Sequence, residues 1–68
     1  MDIVILGSGN VATHFAQNFH HKGHKIKQIF SRQKANAQAL AFAVDANSIS
    51  AISEMQRDAD LYVIAISD

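Results

Sequence analysis

A small α/β domain built on a parallel sheet is the fold these 68 residues predict, and three observations predict it. A short run of branched apolar residues, Ile3-Val4-Ile5-Leu6, stands directly before a pair of glycines, Gly7 and Gly9. After the glycines the apolar positions change to helical spacing. A second extended run and a second helical segment then repeat the order. Strand, glycine turn, helix, strand, helix is how parallel strands joined by crossover helices are written along a chain. Composition permits such a fold, since 49% hydrophobic against 18% charged residues favours a packed chain over disorder. The core is expected to be small, because a chain of this length buries only about 60% of the surface its unfolded form exposes.

Each element has its own reason. The almost wholly apolar Asp2–Leu6 run suits a strand covered on both faces of a parallel sheet. From Asn10 onward, Val11, Ala12, Phe15, Ala16 and Phe19 recur at helical spacing, with Asn10, Thr13, His14, Gln17, Asn18 and His21 opposite them. Gly23 is placed to end this helix in the left-handed conformation. The stretch His24–Phe30 reads as a second strand, and the polar turn Ser31–Lys34 follows it. Lys34–Ala43 is alanine-rich and predicts a second helix, with Ala35, Ala39, Leu40 and Phe42 able to share a face. Residues Val44–Ser48 leave room for only a very short third strand. Ile49, Ile52 and Met55 fit a short third helix, and Leu61–Ser67 is the final strand. No proline, repeat or linker marks a second domain.

Charge and composition exclude several classes. Six basic and six acidic residues cancel, so no cationic surplus points to nucleic acid or an anionic membrane. The one basic cluster, Lys22, Lys25 and Lys27, surrounds a single turn and reads as a solvated loop. Without cysteine there is neither a disulfide framework nor a thiolate zinc site. The start carries an acid, and its apolar run is too short for a signal peptide or a membrane span. A cytoplasmic location is expected.

The glycine spacing carries the chemistry. Gly7-Ser8-Gly9-Asn10-Val11-Ala12 is G-x-G-x-x-A, and it stands where a first strand meets a first helix, with a second strand ending about 20 residues on. In that setting Gly7 allows the tight turn, Gly9 lets a pyrophosphate approach the backbone, and Ala12 lets the helix lie close to the sheet. The amides of Asn10 and Val11 open the helix, where unpaired N–H groups and the macrodipole attract an anion. A turn that merely starts a helix is the plainer reading, but it explains one glycine better than two glycines and an alanine. A Rossmann dinucleotide site is therefore expected.

The end of the second strand selects the dinucleotide. An NAD site carries Asp or Glu there, to accept hydrogen bonds from the ribose hydroxyls. This chain has Phe30-Ser31-Arg32, with Lys34 close behind. A hydroxyl beside a guanidinium suits a 2′-phosphate, which a carboxylate would repel. NADP is the expected cofactor. The alternative is that Ser31 and Arg32 only begin a polar loop and cap the next helix.

Taken together, "VILGSGNVATHFAQNF", "FSR" and "DADLYVIAISD" resemble the N-terminal Rossmann half of NADP-dependent reductases related to pyrroline-5-carboxylate reductase and the deazaflavin-dependent NADP oxidoreductases. The nearest likeness is to a bacterial branch with a Rossmann-like N-terminal half and a helical C-terminal half. The resemblance implies a partial Rossmann fold with strand order 3-2-1-4, truncated after the fourth strand. Residues 1–68 would be the N-terminal part of a dinucleotide-binding domain, with the helical domain absent. It also implies that Gly7, Ser8, Gly9, Asn10 and Val11 form the phosphate loop, that Ser31 and Arg32 receive the 2′-phosphate, and that Ser67 lies near the nicotinamide. The implied activity is hydride transfer between NADP(H) and a carbonyl or imine carbon of a small-molecule substrate, in a homodimer assembled through the helical half. The substrate pocket too comes largely from that half in such families, so catalytic residues cannot be carried over.

Other side chains carry weaker signals. His20 and His24 have the i, i+4 spacing of two metal ligands, but Gly23 interrupts the helix and no carboxylate or cysteine is close in sequence. No metal site is expected. Asp58 and Asp60 flank Ala59 as an acid/base pair could, yet acids in a loop before a buried strand are commoner. Two other functions fit a glycine turn: a dinucleotide-sensing module without turnover, and an S-adenosylmethionine-dependent methyltransferase. The latter usually wants an acid where Ser31 stands.

Overall fold

A computed structural model describes residues 1–65. Its elements are β1 (Asp2–Leu6), α1 (Asn10–His21), β2 (Lys25–Phe30), α2 (Lys34–Ala43), β3 (Asn47–Ile49), a single 3-10 turn (Ile52–Glu54) and β4 (Leu61–Ile64). All strand pairs are parallel and the order is β3-β2-β1-β4, the expected 3-2-1-4. Among the described residues no helix is long and apolar enough to cross a membrane.

The core lies between the sheet and the two helices. Ile3 and Ile5 of β1 and Ile26 and Ile29 of β2 pack with Ala12 and Ala16 of α1 and with Ala37, Leu40, Ala41 and Val44 from α2 and its end. Small residues on the inner face of α1 let the helix backbone approach the strands. Val11 and Phe15 are consequently turned to its flanks, 57% and 40% exposed, and Phe15 stacks on Phe19 at 6.1 Å between ring centroids. On α2 the inner face differs from the expected one. Ala37, Leu40, Ala41 and Val44 face the core at helical spacing, whereas Ala35 and Ala39 are exposed and Phe42 is 91% exposed. Alanines at positions 35, 37, 39, 41 and 43 surround this helix, so the apolar pattern alone selects no face.

Both helices end in the same way. After α1, the N–H of Gly23 donates to the His20 carbonyl and that of His24 to the Phe19 carbonyl, each at 3.0 Å, with Gly23 at φ +90°. This is the Schellman arrangement, with the His24 ring set edge-on to Phe19 as its side-chain contact. After α2, Asp45 donates to Phe42 and Ala46 to Ala41, and Asp45 takes the left-handed position at φ 57°. Aspartate tolerates that conformation better than most residues. The chain thus enters β3 at Asn47, at the end of the region that left its position open. The third helix shrinks to one 3-10 turn, and β4 is described as far as Ile64.

The second face of the sheet is partly roofed. Gln28, beside Val4 in the register, donates from Nε2 to the Glu54 carbonyl (3.0 Å) and accepts at Oε1 from the Gln56 N–H (2.8 Å). On the other side of Val4, the Tyr62 hydroxyl donates to the Gln56 carbonyl (2.6 Å) and accepts from the Ala59 N–H (3.2 Å). The segment between the 3-10 turn and β4 is therefore tied to the strands flanking Val4, which is fully buried. Toward the carboxyl end of β4 the same face opens, and Ile64 is 74% exposed.

Candidate functional site

The carboxyl ends of β1, β2 and β4 lie side by side, because Leu6 is in register with both Phe30 and Ile64. The sheet order reverses at this point: the chain moves outward from β1 to β2 and β3, then returns to place β4 on the other side of β1. Ligands of open α/β sheets bind at such a switch point. The loop after β1 is fixed there by its backbone. Gly7 donates to the Phe30 carbonyl at 2.6 Å, and Ala65 donates to the Leu6 carbonyl at 2.8 Å.

The two glycines of the loop have different reasons to be there. Gly7 is buried at φ +133°, which L side chains rarely adopt, and a Cβ on it would run into the Ala65 carbonyl oxygen, stand 2.9 Å from the carbonyl carbon, and lie 3.4 Å from the Ala12 Cβ. Gly7 is required by the fold itself. Gly9 is exposed, at φ −77° and ψ −165°, an extended conformation open to any residue. Its bareness leaves the start of α1 accessible. Gly9 is the N-cap of α1, and among the described residues no side chain caps the helix; the first turn holds no acid. The leading N–H groups and the positive end of the helix dipole thus face an exposed loop, an arrangement that suits an anionic group.

The loop after β2 reaches the glycine loop through two hydroxyls. Ser8 Oγ donates to Ser31 Oγ at 2.6 Å in a half-buried setting, and the Gln33 N–H donates to the same Ser31 oxygen at 3.1 Å. Ser31 shapes its own turn in this way without capping α2, whose N-cap is Gln33. Gln33 in turn accepts from the Asn36 side chain through Oε1. Arg32 is exposed beside this pair. Gly7, Ser8, Gly9, Asn10, Val11, Ser31 and Arg32 are thus gathered at one edge of the sheet, while Ser67 lies outside the described residues. The bond between Ser8 and Ser31 has no local trace in the sequence, since 23 positions separate them.

The other candidates lie elsewhere. Asp60 accepts the Asp2 N–H at 2.7 Å through Oδ2, at the amino end of β1 and β4, and Asp58 accepts from Gln56 Nε2. Both serve the loop before β4 and stand at the opposite edge from the glycine turn. His24 is engaged with Phe19, and His14 pairs with Asn18 along the outer face of α1.

Residues 1–68, the whole chain, match the model of an oxidoreductase family with an NAD-binding Rossmann fold. The chain belongs to this family. The chain is thus an NAD(P)-binding Rossmann domain of an oxidoreductase family, in agreement with its parallel sheet and strand order. A crystal structure of a Bacteroides fragilis protein, provisionally described as an NADP oxidoreductase, superposes with a TM-score of 0.94 at 36% identity, over 98% of this chain and 26% of that one. An imine reductase from Bacillus cereus superposes with a TM-score of 0.81 at 21% identity, over 98% of this chain and 23% of its own; at that identity the likeness speaks for the fold. The chain therefore spans about a quarter of the length of these two structures. No curated protein matches it significantly.

Proposed function

We propose that this chain is the NADP(H)-binding part of an oxidoreductase that moves hydride between the nicotinamide and a carbonyl or imine carbon of a small substrate. The observation that carries the choice of NADP is the end of β2, where Ser31 and Arg32 occupy the place of the ribose-binding carboxylate. The setting reinforces it: no acid occurs between Asp2 and Asp45, and five of the six basic residues fall between Lys22 and Lys34. The provisional description of the Bacteroides fragilis protein supports the same cofactor.

In this reading the pyrophosphate sits against Gly9 and the uncapped N–H groups of Asn10 and Val11, with Gly7 and Ser8 shaping the loop. The 2′-phosphate meets the Ser31 hydroxyl and the Arg32 guanidinium, whose planar donors suit a phosphate. Ser67, following β4, would lie on the nicotinamide side. The cofactor supplies the hydride chemistry, and this part of the protein anchors and orients it. The substrate pocket and a homodimer interface belong, by the resemblance to pyrroline-5-carboxylate reductases, largely to a helical domain outside these residues. Calorimetric titration of the intact protein with NADPH, NADH and S-adenosylmethionine tests the reading. NADPH should bind most tightly and S-adenosylmethionine should give no heat. Equal or tighter binding of NADH would remove the NADP assignment, and binding of S-adenosylmethionine alone would remove the oxidoreductase one.

A further inference from the structure

Ser8 stands in the loop that faces the part of the cofactor common to NADH and NADPH, yet its hydroxyl is directed at Ser31, on the part that differs. We infer that Ser8 is a specificity-determining residue: an acceptor-only phosphate fixes the Ser8–Ser31 bond with Ser8 donating to Ser31 and Ser31 donating to the phosphate, so the pair favours the phosphorylated cofactor. The inference rests on the NADP(H) reading above.

Hydrogen-bonding capacity decides which cofactor the pair favours. A serine hydroxyl offers one donor and two acceptor sites. At Ser31 both acceptor sites are used, by Ser8 Oγ at 2.6 Å and by the Gln33 N–H at 3.1 Å. What remains is one O–H, which must point away from both donors. A 2′-phosphate above its second pKa, about 6 for phosphate monoesters, presents only acceptor oxygens and takes that proton without either serine turning. The 2′-hydroxyl of NADH can accept the same proton, but as a neutral oxygen it makes the weaker bond, and it finds no free acceptor on Ser31 for its own proton. The arrangement thus favours NADPH over NADH, and specificity is that difference. The chain from Ser8 to Ser31 to phosphate also runs in one direction, so each bond polarises the next. Half-burial of the pair limits competition from water.

Dissociation constants for NADPH and NADH, measured by calorimetry on the intact protein, test this in wild type, Ser8→Ala, Ser31→Ala and the double variant. Ser8→Ala should weaken NADPH about three- to tenfold, the range of one neutral hydrogen bond, and NADH by no more than about twofold. Placed in the Ser31→Ala background, Ser8→Ala should change NADPH binding no further, because its effect passes through Ser31. Equal weakening of both cofactors would overturn the inference, as would a loss that persists once the Ser31 hydroxyl is gone; Ser8 would then serve the shared pyrophosphate or the shape of its loop. The wild-type ratio separates the two claims. A protein with no preference for NADPH refutes the cofactor reading and this inference with it, whereas a preference that survives Ser8→Ala unchanged refutes the inference alone.

Discussion

Replacing Gly7 and replacing Gly9 should have opposite consequences, although both glycines belong to one motif. Gly7→Ala forces a side chain into φ +133° and drives its methyl against the Ala65 carbonyl. The backbone conformation costs about 1–3 kcal/mol for a non-glycine residue. Overpacking against backbone that is itself bonded to β1 adds about 1–3 kcal/mol more. The sum, about 2–6 kcal/mol, is a large share of what a domain of this size holds at about 0.05–0.15 kcal/mol per residue. Gly9→Ala is free of that backbone strain, because φ −77° and ψ −165° lie in the extended region. Its cost is the weaker N-cap, about 1 kcal/mol or less. Urea unfolding of the intact protein, followed by circular dichroism, measures both losses. Gly9→Val, which puts a branched side chain at the proposed pyrophosphate, should stay folded and lose NADPH. Equal destabilisation by Gly7→Ala and Gly9→Ala would refute the division of roles, and a folded Gly9→Val protein with wild-type affinity would refute the phosphate loop.

Two further perturbations test the packing. Leu40→Ala should cost about 2–5 kcal/mol, as a core truncation does, whereas Phe42→Ala should stay within about 0.5 kcal/mol of wild type in the same urea titration. Gln28→Ala removes both bonds that hold the Glu54–Gln56 backbone to β2, so the Gln56 amide should exchange its hydrogen markedly faster, with a loss of about 1–3 kcal/mol.

Much of the fold is legible in the sequence because its signals are local. Gly7 and Gly9 mark where β1 stops, Gly23 marks where α1 stops, and the apolar spacing fills in the rest of both elements. The end of α2 is less legible because Asp45 does there what Gly23 does after α1, and an aspartate announces no left-handed cap. The buried face of α2 is hidden by alanines at alternate positions. The roof over Val4 depends on Gln28 and Tyr62 reaching backbone groups of another segment, which no periodicity records. At the site, the sequence places the glycine loop and Ser31-Arg32 at the same edge through strand order alone. The Ser8–Ser31 bond depends on where two loops meet in space.

The proposed recognition of a 2′-phosphate at the end of β2 stands or falls with Arg32→Ala. Binding of NADPH and of NADH to the wild-type and variant proteins should be measured at one fixed salt concentration, since an exposed charge contact is partly screened. Loss of a hydrogen bond to a charged group is worth about 1.5–3 kcal/mol, so NADPH should weaken roughly ten- to a hundredfold while NADH is unchanged. Ser31→Asp should move the ratio further the same way, by setting a carboxylate against the phosphate. If Arg32→Ala weakens NADPH and NADH equally, Arg32 supports the loop without reading the phosphate, and the NADP assignment fails.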